Sequence, residues 1–269
     1  MPLQAKRLRN FRTGRVSARA EARTQRILRD NLERRFFKRL DALFRKFLRV
    51  NMFLFKRYGI YEPQIAQGAL NEDLIPMVFS HYKRITRVIY EHNERKHNKK
   101  DVFVFGRAVD FERRVEEYFA GRQFVFVGIT NIIATKISNE IVRLRGEGLS
   151  NTQIASAIVD KFSGINLRRA RTIARTETHN AAGFANHAYH EEVESNLGTR
   201  MFKKWVATED ERTRTHHAEM NSKPPIPMNE DFVVGGVKMK YAGDPKGGAK
   251  NVINCRCVII YIDEEDVVT

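Results

Sequence analysis

Apolar residues recur every three or four positions from Ile27 onward, at Leu28, Leu32, Phe36, Leu40, Leu43 and Phe47. Arg29, Arg35, Lys38, Arg39, Arg45, Lys46 and Arg49 fall largely between them, so the stretch predicts an amphipathic helix with a basic outer face. Residues 1–26 are Arg-rich and nearly free of large apolar side chains, which predicts a flexible or partner-ordered arm. Past Gly59 and Pro63 the pattern stays helical to about Gly146. It is interrupted by the polar run 96–100 and by "VFVFG", which periodicity alone reads equally as strand or buried helix. Gly146 and Gly148 end a helix, and Ser150 is placed to cap the next, "NTQIASAIVDKF". "SGIN" is then expected to separate that helix from a longer one running from Leu167 to about Glu194.

After Gly198 the period changes from helical to strand-like. "MFKKWVAT" reads as a strand, "FVVGGVKMKY" as a hairpin turning at Gly235-Gly236, and "GDPKGG" as a turn before a final strand. No crossover helices separate these strands, so the sheet should be antiparallel. The expected class is α+β, with a helical N-terminal two-thirds and a small sheet in the C-terminal third. The expected segments are a basic arm and amphipathic helix over 1–60, a helical region over 61–149, and a long helix with a sheet over 150–269.

Charge sharpens this picture at one end. The formal net charge is +16, and residues 1–60 hold 18 Lys and Arg against the four acids Glu21, Asp30, Glu33 and Asp41. Nearly all the excess is therefore N-terminal, which calls for a polyanionic partner, nucleic acid before an anionic membrane surface. No window reaches the roughly 18 uncharged apolar residues of a membrane span, and no apolar stretch of signal-peptide type follows the basic start. Arg7, Arg9, Arg12, Arg15, Arg19, Arg23 and Arg26 are the candidate DNA- or portal-binding residues of the arm, through charge and not through base reading.

The remaining chemistry gathers in "ARTETHN", "EDERTRTHH" and "NCRC". Cys255 and Cys257 are the chain's two cysteines, and i,i+2 spacing in an extended segment points both to one face and Arg256 to the other. With His216 or His217 they offer the donors zinc takes, but C-x-C is tighter than the usual C-x₂₋₄-C. The preferred reading is two small buried side chains anchoring the last strand against the Asp210–His217 loop, with no cofactor. Glu177, Asp210, Arg212 and Arg256 are expected to form one buried or half-buried ion network. His187 and His190 are expected on a solvent-facing polar stripe of the long helix.

In order, "IARTETHNA", "KKWVATEDERTRTHHAEMNSK", "YAGDP" and "VINCRC" resemble the phage Mu F-like family of minor head proteins over roughly residues 138–262. The matching positions are Arg175, Thr176 and Glu177; Trp205, Asp210, Arg212, Thr213 and His217; and Gly243, Asp244, Pro245, Asn254, Cys255, Arg256 and Cys257. The doubled His216 and "NSK" depart from the family pattern. The resemblance implies a low-copy virion structural protein inside the capsid at the portal vertex, assembled in the host cytoplasm. Its implied partners are the portal protein, the capsid interior and packaged double-stranded DNA, and its implied work is head assembly or DNA delivery without enzymatic activity. Two other readings stand beside it: a metal-dependent hydrolase or toxin-like enzyme using His217, Cys255, Cys257 and Glu177, and a helix-turn-helix DNA-binding protein built on residues 149–176.

Overall fold

A computed structural model describes residues 18–97 and 108–264. Arg7, Arg9, Arg12, Arg15 and "VFVFG" lie outside the described residues. Helices α1 (Ala18–Tyr58), α2 (Pro63–His97), α3 (Ala108–Ala120), α4 (Gln123–Gly146) and α5 (Asn151–Leu197) precede β1 (Met201–Val206). The short helix α6 (Thr215–Ala218), strands β2 (Ile226–Pro227), β3 (Phe232–Val234) and β4 (Val237–Met239), helix α7 (Gly248–Val252) and strand β5 (Val258–Asp263) follow. The class is α+β. β1 lies between β2 and β5, both antiparallel to it, with Phe202 opposite Ile262 and Val206 opposite Val258. β3 and β4 form the expected hairpin. Gly235 and Gly236 both adopt positive φ, as a two-residue turn matched to strand twist requires.

By compactness the described chain divides into two interleaved units. One comprises residues up to Glu33, Lys83–Asp110 and Arg175 onward; the other comprises Arg34–Tyr82 and Phe111–Ala174. This division cuts across the segments expected from composition, because α1, α2 and α5 each contribute to both units.

The second unit is all helix. Phe36, Leu40, Phe44 and Phe55 of α1, Leu70 and Leu74 of α2, and Phe126, Ile133 and Ile137 of α4 are buried there. The turn between α1 and α2 is held by the Arg145 guanidinium donating to the Gly59 carbonyl at 2.6 Å. α4 is long and apolar enough, by length and composition, to cross a membrane, although no uncharged 18-residue run marks it. Its stripe Phe126, Ile133, Ile137, Ile141 and Leu144 is buried within the unit, while Phe124, Ile132 and Val142 on its other side are exposed.

Three sequence expectations need correction. The helix starts at Ala18, not Ile27, so Arg19, Arg23 and Arg26 are helical. Ala18, Ala20 and Ala22 favour helix intrinsically, and Ala22 packs against Val258 and Ile260 of β5. "SGIN" does not interrupt the long helix, since α5 runs unbroken through Gly164. Ile154, Ile158, Phe162, Asn166 and Ala170 are all buried on one stripe across that point. Burial of this stripe outweighs the roughly 1 kcal/mol that a helical glycine forfeits. One continuous helix over residues 151–176 also removes the two-helix geometry that a helix-turn-helix needs.

The first unit is built around the second half of α5, where residues 176–182 are buried on every side. A helix face surrounded in this way is wrapped by other elements, here parts of α1, α2 and the sheet. Asn93 of α2 donates to the Asn186 side-chain oxygen at 2.8 Å, and Asn186 donates in turn to the Ile259 carbonyl of β5 at 3.3 Å. Tyr90 meets Tyr189 edge-on at 5.5 Å. Gly183 lets the sheet side approach, because a Cβ there would lie 2.4 Å from the Ala242 carbonyl oxygen.

Candidate functional site

The polar motifs converge where β5 begins. α7 ends at Val252, and Asn254 takes a left-handed conformation with φ 58°, which asparagine tolerates better than most residues. Its backbone N–H donates to Thr176 Oγ1 at 3.2 Å. The turn aims Cys255 and Cys257 inward, each 2% exposed, and Arg256 outward. His217, on α6 and 1% exposed, faces both sulfurs. Its Nδ1 lies 3.6 Å from Cys255 Sγ and 3.4 Å from Cys257 Sγ. Trp205 of β1 packs against the His217 ring at 5.4 Å and 89°, fixing its plane.

A fourth residue completes this centre, and it comes from the N-terminal helix. Arg29 is 5% exposed. Its guanidinium donates to the Cys257 carbonyl at 3.2 Å and the Arg256 carbonyl at 3.0 Å, and meets His179 Nδ1 at 2.6 Å. The expected basic outer face of α1 is therefore wrong at this one position. Burial, and then the neighbouring Arg29 charge, press His179 well below the ordinary imidazole value, so the ring is neutral and accepts. The two sulfurs interact: their contact raises the Cys255 thiol well above its ordinary value and lowers Cys257 below it, with His217 lowering Cys257 further.

Outside the buried centre lies a clamp. The Arg256 guanidinium pairs with both Asp210 oxygens, Nη2 to Oδ1 at 2.6 Å. Asp210 also accepts from the Arg212 backbone N–H and from Thr213 Oγ1, both at 3.1 Å. The hydrogen bond from Arg256, foremost, holds the Asp210 carboxyl well below its usual range. Thr208 Oγ1 donates to the Arg256 carbonyl at 3.1 Å, and Arg214 donates to the Ile253 carbonyl at 2.7 Å, so the loop is stitched to the strand it faces. Of the expected ion network, Asp210 and Arg256 are partners at the surface, Arg256 partly buried and Asp210 exposed rather than half-buried, because the loop that carries the carboxylate faces solvent. Arg212 reaches Asp210 only at 3.5 Å with its side chain 73% exposed, so that member stands in solvent because its backbone, not its guanidinium, serves the carboxylate. Glu177 is buried on α5, and Arg175 pairs with Glu33 of α1 at 3.3 Å.

Other expectations resolve individually. His216 turns away from the sulfurs and bonds Asn251 Oδ1 at 2.8 Å, so only His217 can join the cysteines in a donor set. Asp244 accepts from the Lys240 and Lys246 backbone N–H groups, and Gly243 at φ 90° passes close to His179 and Asn180. These contacts account for "YAGDP". His187 and His190 are buried, not solvent-facing: His190 stacks on Tyr261 at 4.1 Å and His187 Nδ1 lies 3.2 Å from the Tyr261 hydroxyl. Their helix face is covered by β5, which helical periodicity could not reveal. Arg19 and Arg23 are exposed on α1, while Arg26 donates to the Ala207 carbonyl at 3.1 Å. Arg29 was the residue missed; a single arginine interrupting an apolar stripe, one position from Leu28, carried no distinguishing signal.

Residues 135–260, spanning "ARTETHN" through "NCRC", match the family model for Phage Mu protein F like protein. The chain carries a Mu F-like domain. Over 146 residues it is 34% identical to Minor head protein GP7 of Bacillus phage SPP1, covering 52% of this chain and 43% of that protein. Over 132 residues it is 32% identical to the NAD(+)–arginine ADP-ribosyltransferase EFV of Enterococcus faecalis, covering 48% of this chain and 26% of that protein. The chain thus spans less than half the length of either relative. No solved structure matches it significantly. Arg29 falls outside the matched region, so the centre of the Mu F-like domain is completed by a helix that the family model does not include.

Proposed function

We propose that the protein is a structural component of a phage head, present in few copies inside the capsid at the portal vertex, with its basic N-terminal region on packaged DNA. The observation that carries the reading is the similarity of the Mu F-like domain to Minor head protein GP7. The geometry of the motifs supports it, because most of their polar groups bond to one another or to the neighbouring backbone. His217, Cys255, Cys257 and Glu177, the set an enzyme would need, are each at most 4% exposed. A buried set of this kind suits holding a loop against a strand better than meeting a substrate.

The charge distribution supports the DNA contact. On α1, Arg34, Arg35, Lys38, Arg39, Arg45, Lys46 and Arg49 are all exposed and continue the basic character of the N-terminal residues. Purified full-length protein should bind duplex DNA without sequence preference. Affinity should fall by about 10³–10⁵-fold between 50 and 200 mM salt if roughly 6–10 phosphates are contacted. Replacing Arg7, Arg9, Arg12 and Arg15 by alanine should weaken binding and flatten that slope. The protein should also co-purify with filled particles at a ratio below that of the portal. Equal recovery in free and particle fractions, or DNA binding indifferent to salt, would remove the proposal.

A further inference from the structure

We propose that Cys255, Cys257 and His217 bind a single structural zinc ion at the heart of the Mu F-like domain. Three soft or borderline donors from two separate parts of the chain converge here, and their donor atoms all lie within 4.8 Å of one another. In a tetrahedral zinc site with Zn–S near 2.3 Å and Zn–N near 2.0–2.1 Å, a sulfur and a nitrogen stand about 3.6 Å apart. The His217 Nδ1 distances of 3.6 and 3.4 Å to the two sulfurs already match that edge. Two of the three donor–donor edges are therefore already at the length a zinc site requires.

The surroundings point the same way. The T-shaped Trp205 contact fixes the His217 ring with Nδ1 toward the sulfurs. His217 Nε2 is buried with no hydrogen-bond partner among the described residues, so the ring is oriented by its aromatic contact rather than by a hydrogen bond at that nitrogen. The cysteines share a face through their i,i+2 spacing, and the left-handed Asn254 turns the chain just before them. Three side chains leave one tetrahedral position for a small donor. Zinc with two thiolates is neutral, so the nearby Arg29 cation, engaged by two carbonyls and His179, meets no added net charge. The same geometry without metal would be a thiol–thiolate pair neutralising Arg29, and the experiment separates the two.

Full-length protein without a polyhistidine tag would be produced in zinc-supplemented medium, purified without chelator, and its metal measured by mass spectrometry. One zinc per chain is expected. His217→Ala and Cys255→Ser should each reduce this to near zero, while His216→Ala should keep it. Should the ligand variants not fold, cobalt-exchanged wild-type protein decides the question, since two thiolate ligands give sulfur-to-cobalt charge-transfer absorption. Metal-free wild-type protein with both thiols reactive, a Cys255–Cys257 disulfide in the intact mass, or cobalt absorption lacking the thiolate band would each overturn the proposal.

Discussion

Replacing Arg29 by methionine should destabilise the unit that contains the Mu F-like motifs, although Arg29 lies more than a hundred residues before the matched region. The side chain is 5% exposed and donates to the carbonyls of Cys257 and Arg256 at 3.2 and 3.0 Å. Methionine fills much the same volume but can donate to neither. Each orphaned buried acceptor costs about 1–3 kcal/mol, so two give about 2–6 kcal/mol. Removing a buried guanidinium also relieves its own desolvation, which offsets part of that loss. The expected net change is therefore about 2–4 kcal/mol. The chain's single tryptophan, Trp205, sits against His217 in the same centre, so its fluorescence during urea unfolding follows the right unit. The midpoint should fall with the slope unchanged. Arg35→Met, on the exposed face of the same helix, should stay within about 0.5 kcal/mol. A change below about 1 kcal/mol for Arg29→Met would mean that solvent replaces its hydrogen bonds and that α1 does not tie down the cysteine segment.

Two further outcomes test other parts of the fold. Burial raises Glu21, but the His92 hydrogen bond and the Lys96 charge outweigh it, bringing the carboxyl down from 4.5 to about 2. A lowered carboxylate contributes stability that is present above pH 4.5 and lost as pH falls toward 2. The contribution is on the order of 3 kcal/mol, so Glu21→Gln should be clearly less stable than wild type at pH 6 and nearly equal to it close to pH 2. A constant difference across that window would refute the pairing. Gly183→Ala places a Cβ 2.4 Å from the Ala242 carbonyl and should cost about 1–3 kcal/mol, whereas Gly128→Ala in α4 meets nothing within 4 Å and should gain about 0.5–1 kcal/mol; equal effects in thermal melts would refute the close approach.

Much of the architecture was legible in the chain itself. The three-to-four-residue recurrence of Leu32, Phe36, Leu40 and Phe47 names the buried stripe of α1, since burial of an amphipathic helix follows directly from its period. The hairpin at Gly235-Gly236 and the common face of Cys255 and Cys257 were legible for the same reason: φ > 0 and strand alternation are local rules. The motif series also identified the Mu F-like region, because order along the chain is a property of sequence alone. Other features depended on elements distant in sequence. "SGIN" contains a residue that disfavours helix, yet a buried stripe kept α5 continuous through it. His187 and His190 looked solvent-facing until β5 covered them. Arg29 differs from the exposed arginines around it only in what packs above it: the carbonyls of residues 256 and 257 and the ring of His179, more than 140 positions away. Local pattern determines which faces of a helix are apolar. Only the tertiary structure decides which polar residue on that helix is enclosed, because enclosure depends on groups whose sequence separation no periodicity encodes.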